Sequence, residues 1–335
     1  MSGKERIVLD GIDRYQVVDP LYECVRVVLN HRGESYSPAY IQGLSGAAFR
    51  IGGICPCAPT CDCAMSTQDL IALLGYEMTY LPLYGDENQS FDLEQEAARV
   101  IARIKDEIRA GRPAIVWHAF TTAEWDVVAG FDDEQGLFFG RGSYAGIDGY
   151  AQADQKRLST CRDICPALGA ILVGEKIGQF NAREAEIAAL QEAVRHAHST
   201  EGQDQLSGDK WVMLHGLLCY DRWIDDWRKP ERKRTAGDSY CLGVYRSTHR
   251  IAAGFMSELA LKYPQAQSNF ERAAAAFTAE ADALDAAVPL LWWSAPEDPD
   301  PERNARLVPL LRQARDGYAR GIDAIEAALV VVEFG

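Results

Sequence analysis

The residues best suited to chemistry in this chain are its nine cysteines. One of them, Cys24, lies in DPLYECVRVVLNHRG, residues 19–33. The segment predicts a helix. Asp19 suits the N-cap and Pro20 the first helical position, while Gly33 suits the stop. Leu21, Val25, Val28 and Leu29 mark a buried stripe, and Cys24 lies beside it, close to the helix N-terminus. That end carries partial positive charge, which favours thiolate over thiol and so suits a nucleophile. The same placement suits a small, inert core residue. The segment by itself leaves both readings open.

A second cluster, CPCAPTCDC, places Cys55, Cys57, Cys61 and Cys63 in nine residues. Four thiolates can hold zinc tetrahedrally or carry an iron–sulfur cluster. The C-x-C-x3-C-x-C spacing departs from the common C-x2-C pair, and Pro56 stiffens the first pair. Free thiols and disulfides are the other readings. Cys161 and Cys165, four apart in TCRDIC, read as structural thiols. Cys219 and Cys241 fall in helical stripes and read as core. Arg50 follows an apolar run and offers a carboxylate or phosphate a partner, or forms a structural salt bridge.

The first half alternates helices and strands. Gln68–Leu74 reads as a short helix and Glu77–Leu83 as a strand. Asp92–Ala110 is a strong helix, with Leu93, Ala97, Val100, Ile101, Ile104 and Ile108 at helical spacing and Gly111 and Pro113 ending it. Strands are expected at Ala114–Ala119, Asp126–Phe131, Gly136–Phe139 and Ala167–Val173, with a hairpin turn at Asp132–Gly136. This is an α+β layout. The second half reads as nearly all helix: 181–199, started by Asn181 and Glu184, then Trp211–Trp227, Tyr240–Tyr263, Gln265–Ala286 and Ala305–Val331. Pro289–Pro301, with Trp292 and Trp293, reads as a loop. The expected boundary lies near Gly174–Gly178, giving domains 1–175 and 176–335.

The chain has 335 residues, a net charge of −15 and a pI near 4.9. That charge argues against a nucleic-acid or anionic-membrane partner, both of which need a basic face. The one basic run, Arg228–Arg234, reads as a solvated loop. No apolar run reaches membrane-span length, and the charged start MSGKERIVLDGIDRYQ lacks a signal-peptide core. The expected setting is cytoplasmic, where cysteines stay reduced.

Two motifs carry a resemblance. YECVRVVLNHRGESYSPAYIQGLSGAAFRI (22–51) and VVAGFDDEQGLFF (127–139) resemble the family named after butirosin biosynthesis protein H, related to the bacteriocin-processing cysteine peptidases. The resemblance covers roughly residues 15–175, with a weaker likeness in the helical half. It implies a papain-like cysteine-peptidase fold followed by an all-α domain. It also implies a Cys24 thioester and acyl transfer to an amine from a carrier protein. The fold's usual histidine would stand six residues before Gly130, where Glu124 stands instead, flanked by Trp125 and Asp126. Gly140-Arg141-Gly142-Ser143 occupies the place of the orienting Asn or Asp. Val18 occupies the place of the oxyanion glutamine, with Gln16 and Asp19 nearby.

Two groups can replace the missing histidine. His118, in AIVWHAF, is one, with a hydrogen-bonded strand-end histidine as its bland reading. Glu124, its pKa raised by burial, is the other. The first expectation is therefore a cysteine-dependent acyltransferase or amide-forming or amide-hydrolysing enzyme using Cys24, Glu124 and His118. Arg50, Trp125 and Asp126 would contact a small-molecule or carrier-bound acyl substrate, with no required cofactor. The second is an inactive papain-like protein that binds zinc, an iron–sulfur cluster or a small molecule. The Ala-rich helices and the Trp292-Trp293 pair leave room for a homodimer.

Overall fold

Helix α1 (Pro20–His31) starts where its sequence signals place it. The Asp19 carboxylate accepts from the Leu21 amide at 3.2 Å, satisfying a donor that has no partner inside the helix. The computed structural model describes residues 5–52, 65–84, 92–161, 167–201 and 214–334. Cys55, Cys57, Cys61, Cys63 and Cys165 lie outside the described residues. The chain divides into two compact units, 1–38 with 66–180, and 39–65 with 181–335. No helix among the described residues is long and apolar enough to cross a membrane.

The first unit is α+β. It holds β1 (Arg6–Val8) and α1. The next helix in the chain, α2 (Pro38–Leu44), runs into the second unit. The first unit resumes with α3 (Thr67–Leu73), β2 (Tyr76–Leu81), α4 (Leu93–Arg109), β3 (Ala114–Trp117) and β4 (Trp125–Asp132). It closes with β5 (Leu137–Arg141), β6 (Ala151–Asp154) and β7 (Ala170–Lys176). Among the described residues these strands form one antiparallel sheet of order β2-β7-β3-β4-β5-β6, with β1 paired to β4. Helix α4 buries Ala97, Val100, Ile104 and Ile108 with Val116, Val128, Phe131 and Leu172 of the sheet. Helix α1 packs against β3 and β4. Asp126 stands opposite Val116 and Trp125 opposite Trp117 in the β3–β4 ladder. Asp126 is thus a carboxyl on a fully buried strand, which makes its environment unusual from the outset.

The second unit is helical. Beside α2 it holds α5 (Ala182–Ala197), α6 (Gly216–Trp227), α7 (Ala236–Lys262), α8 (Gln267–Leu291) and α9 (Pro301–Phe334). Its core joins Phe49, Tyr220, Phe255, Phe277, Leu284 and Tyr318, among others. The expected loop from Pro289 is a correction: α8 continues to Leu291. Pro289 falls in the last turn, where its missing amide costs one hydrogen bond and burial of Leu290 and Leu291 compensates. Helix α9 likewise starts at Pro301 rather than Ala305, because Asp300 Oδ1 accepts from the Glu302 and Arg303 amides at 3.0 Å each.

Two features of this unit are used below. The first is a buried histidine–carboxyl contact: His249 Nδ1 lies 2.5 Å from Glu280 Oε1, and both side chains are wholly inaccessible. Tyr220 donates to the same Glu280 oxygen. The second is the segment Phe49–Gly52. Tyr318 donates to Phe49 O at 2.9 Å, His249 Nε2 lies 2.9 Å from Arg50 O, His196 Nε2 lies 2.9 Å from Ile51 O, and Tyr245 donates to Gly52 O at 2.8 Å. Four consecutive carbonyls are each met by a different side chain.

Candidate acidic site beside Cys24

Cys24 is 0% exposed. Its Sγ donates to the Leu21 carbonyl at 3.1 Å, within its own helix. Burial pushes the thiol well above its ordinary range, and the charges of Asp19, Glu23 and Asp126 push it further. The Val25 amide opposes this without reversing it. Desolvation and like charge therefore outweigh the positive helix end that favours thiolate. Glu23 is itself buried but compensated. Arg26, 1% exposed, meets it at 2.8 and 2.9 Å, and the Gln16 amide donates to it at 2.7 Å.

The start of β4 supplies two more carboxyls. Asp126 is 0% exposed, and its Oδ2 accepts from the Phe120 and Thr121 amides at 2.6 and 2.9 Å. Burial still raises it to about 7, against those amides, the nearby Thr121 hydroxyl and the positive charge of Arg157. Glu124, 7% exposed, is raised to about 7, first by burial and then by Asp126. The Ser143 hydroxyl lies close enough to oppose that shift, although no hydrogen bond of full geometry joins the two. Asp19, beyond its capping role, is raised to about 7 by burial and by Glu124. Tyr15 completes the cluster. Its hydroxyl donates to Trp125 O at 3.0 Å, and its phenol is raised by burial and by Cys24, Asp126, Glu23 and Glu124.

His118 is held in a tight turn leading to Glu124. Its amide donates to Glu124 O at 2.7 Å, and its Nδ1 accepts from the Ala123 amide at 2.9 Å. His118 and Ala123 have φ of 57° and 55°, a left-handed region that non-glycine residues seldom occupy. Burial and Arg157 lower the imidazole pKa. The imidazole thus fixes the turn that presents Glu124. Arg50 belongs to the helical unit, where its carbonyl meets His249 and its guanidinium acts on the Tyr318 phenol.

Four oxygens at the β4 start are buried without a hydrogen-bond partner among the described residues: Glu124 Oε2, Asp126 Oδ1, Thr121 Oγ1 and Ser143 Oγ. Gly142 makes their closeness plain, because a Cβ there would overlap both Asp126 Oδ1 and Thr121 Oγ1. Buried polar atoms are nearly always partnered, and exceptions mark sites of function or bound solvent. Asp19, Tyr15, Thr121 and Ser143 are site residues that the sequence reading did not assign. The signals present in the sequence were the places of Asp19 and Ser143 in the family resemblance and Gly142, a small residue directly after β5 where the chain approaches another group closely.

Among the described residues, no trio of His, Cys, Asp or Glu side chains is arranged to hold a metal ion. Cys161, Cys219 and Cys241 are buried thiols outside any disulfide. Neither a family model nor a curated protein matches this chain.

Proposed function

We propose that the first unit is a papain-like domain whose acidic site binds a small cationic molecule, with Cys24 serving as packing. The observation that carries this reading is a pair of buried carboxyl oxygens without a hydrogen bond of full geometry among the described residues, Glu124 Oε2 and Asp126 Oδ1, with the Thr121 and Ser143 hydroxyls beside them. Buried carboxyl oxygens left without a partner are costly. An ammonium group brings three donors and a positive charge, so it satisfies the vacant acceptors and offsets the repulsion among Asp19, Glu124 and Asp126. The papain-like assignment is supported by the cysteine-bearing helix packed on β3 and β4, followed by an antiparallel sheet.

Calorimetric titration with methylamine tests the reading. A bound cation favours the ionised carboxyls, so affinity rises from pH 6 to pH 8, across the value of about 7 for Glu124 and Asp126. Protons are released on binding. Asp126→Asn weakens binding at least tenfold, the loss of one charge-assisted contact of about 1.5–3 kcal/mol. Binding that is absent, or indifferent to both pH and Asp126→Asn, sinks the proposal.

The second reading, acyl transfer through Cys24, is favoured by one observation. Glu124 Oε2 is free and its carboxyl is matched to neutral pH. It can act as base when an acyl donor arrives, although a proton moved from so weak an acid climbs at least about 3 kcal/mol. Incubation with an acetyl thioester of N-acetylcysteamine decides between the two. An acetyl group on Cys24, absent in Cys24→Ser, establishes the enzyme. The zinc or iron–sulfur reading of Cys55, Cys57, Cys61 and Cys63 is a separate proposal, decided by metal content before and after Cys61→Ala.

A further inference from the structure

The loop after β5, residues 142–150, is exposed yet built to hold one shape. Arg141 anchors it. The guanidinium donates to Gly146 O, to Gly149 O at 2.7 Å and to Ile12 O at 3.3 Å. It also lies 4.6 Å from the centre of the Tyr150 ring. Tyr150 in turn donates to Leu9 O at 2.7 Å and accepts from the Ile12 amide at 3.3 Å. Gly146 adopts φ +75°, with Gly140 O only 2.6 Å from where a Cβ would stand. The loop is closed at its base by the Gly142 amide donating to Ala145 O at 2.9 Å.

On this fixed backbone Tyr144 is 59% exposed and Ile147 56% exposed. Single exposed apolar residues need no explanation. Two on one clamped loop, adjoining a cluster of buried unpartnered acceptors, form a pattern. Tyr144 also lies within electrostatic range of that cluster. Although much of its surface is open, partial burial and the Glu124 carboxyl push the phenol up to about 12. Its chain neighbours complete the juxtaposition: Ser143 Oγ faces Glu124, and Gly142 lies against Asp126.

We infer that loop 142–150 is the specificity lip of the acidic site. Tyr144 and Ile147 would cover the apolar part of an amine whose ammonium group lies at Glu124 and Asp126. This rests on the cationic-ligand reading above and narrows it to amines with an aromatic or branched apolar group beside the charge. Small-molecule sites commonly pair an apolar lining with a few placed polar groups. A preordered lip spares the ligand the ordering cost of a mobile one.

The test compares benzylamine with methylamine by calorimetry on the whole chain at pH 8. Covering the phenyl ring gives wild type a preference of roughly tenfold or more for benzylamine. Tyr144→Ala and Ile147→Ser each reduce that ratio several-fold. Tyr84→Ala, which removes a tyrosine 48% exposed elsewhere on the unit, leaves it unchanged. Equal affinity of wild type for the two amines, or a ratio unmoved by both lip variants, overturns the lip while leaving the acidic site standing. A preference that collapses in the lip variants while affinity survives Glu124→Gln and Asp126→Asn places the amine on the loop but away from the carboxyls, and so overturns the acidic site and the lip as its specificity element. No binding of either amine overturns both.

Discussion

The Cys24 thiol donates to the carbonyl of Leu21, one turn back in the same helix, at 3.1 Å. A sulfur so placed has its proton committed to the backbone and its charged form penalised by burial. Iodoacetamide is therefore expected to modify Cys24 more slowly than exposed cysteines, with a rate that titrates above pH 9. Peptide mass spectrometry across a pH series reads this directly. Fast modification near pH 7 would restore the nucleophile.

Glu124 and Asp126 predict a pH-dependent stability. Both are raised from ordinary carboxyl values to about 7, so the fold favours their protonated forms. Their contribution is full below the unfolded values near pH 4 and is lost as pH rises through about 7. Glu124→Gln and Asp126→Asn mimic the neutral forms. Each is expected to raise stability at pH 8 by on the order of 2 kcal/mol and to change it little at pH 4. Urea denaturation at the two pH values measures the difference. An amide variant less stable than wild type at pH 8 would contradict the assignment.

His249 predicts an independent pH effect in the helical unit. Burial alone lowers its pKa, but Glu280, by charge and hydrogen bond, together with the Arg50 carbonyl, raises it overall. The groups facing it are Glu280 from α8, Tyr220 from α6, Tyr318 from α9 and Tyr245 on its own helix. A raised histidine stabilises fully below its unfolded pKa of about 6.5, and that stabilisation fades as pH climbs through the higher folded value. His249→Ala leaves Glu280 buried and unpaired, at a cost of about 3–5 kcal/mol. Calorimetric melting at pH 6 and pH 9 separates the two states. A His249→Ala melt equal to wild type at pH 6 would reject the pair.

Arg26 and Glu23 supply a rescue test. Arg26→Met leaves Glu23 charged and buried, costing about 3–5 kcal/mol. Adding Glu23→Gln removes the stranded charge and is expected to recover most of the loss. Double-mutant unfolding measurements check this. Additive losses would show that the two residues do not act as a unit.

Helices α1 and α4 were legible because cap and stripe agree in both: Asp19 and Asp92 accept from the first amides, and the apolar positions recur on one face. Strands β1 and β6 were not. RIV and AQAD are too short, and the latter too polar, to show a period. At the candidate site, the helix signals drew attention to Cys24 and the family resemblance to Glu124. Neither could find that Asp19 is more than a cap, because its second role depends on Glu124, brought near by folding. The binding of His118 Nδ1 to Ala123 was equally hidden, since it depends on two left-handed residues that no local pattern announces. The helical unit takes residues 39–65 from the first half of the chain, a choice made by the side chains that meet Phe49–Gly52 rather than by local composition.

That segment sets a schedule for synthesis. The acceptors on Phe49–Gly52 leave the ribosome early, yet their donors follow on α5, α7 and, last, at Tyr318 on α9. At about 5–20 residues per second the wait is tens of seconds. For that time the apolar stretch around Phe49 has no helical core to enter. The helical unit is the last to mature although part of it is among the first to be made, and a fragment starting at residue 176 would carry donors whose acceptors had been cut away.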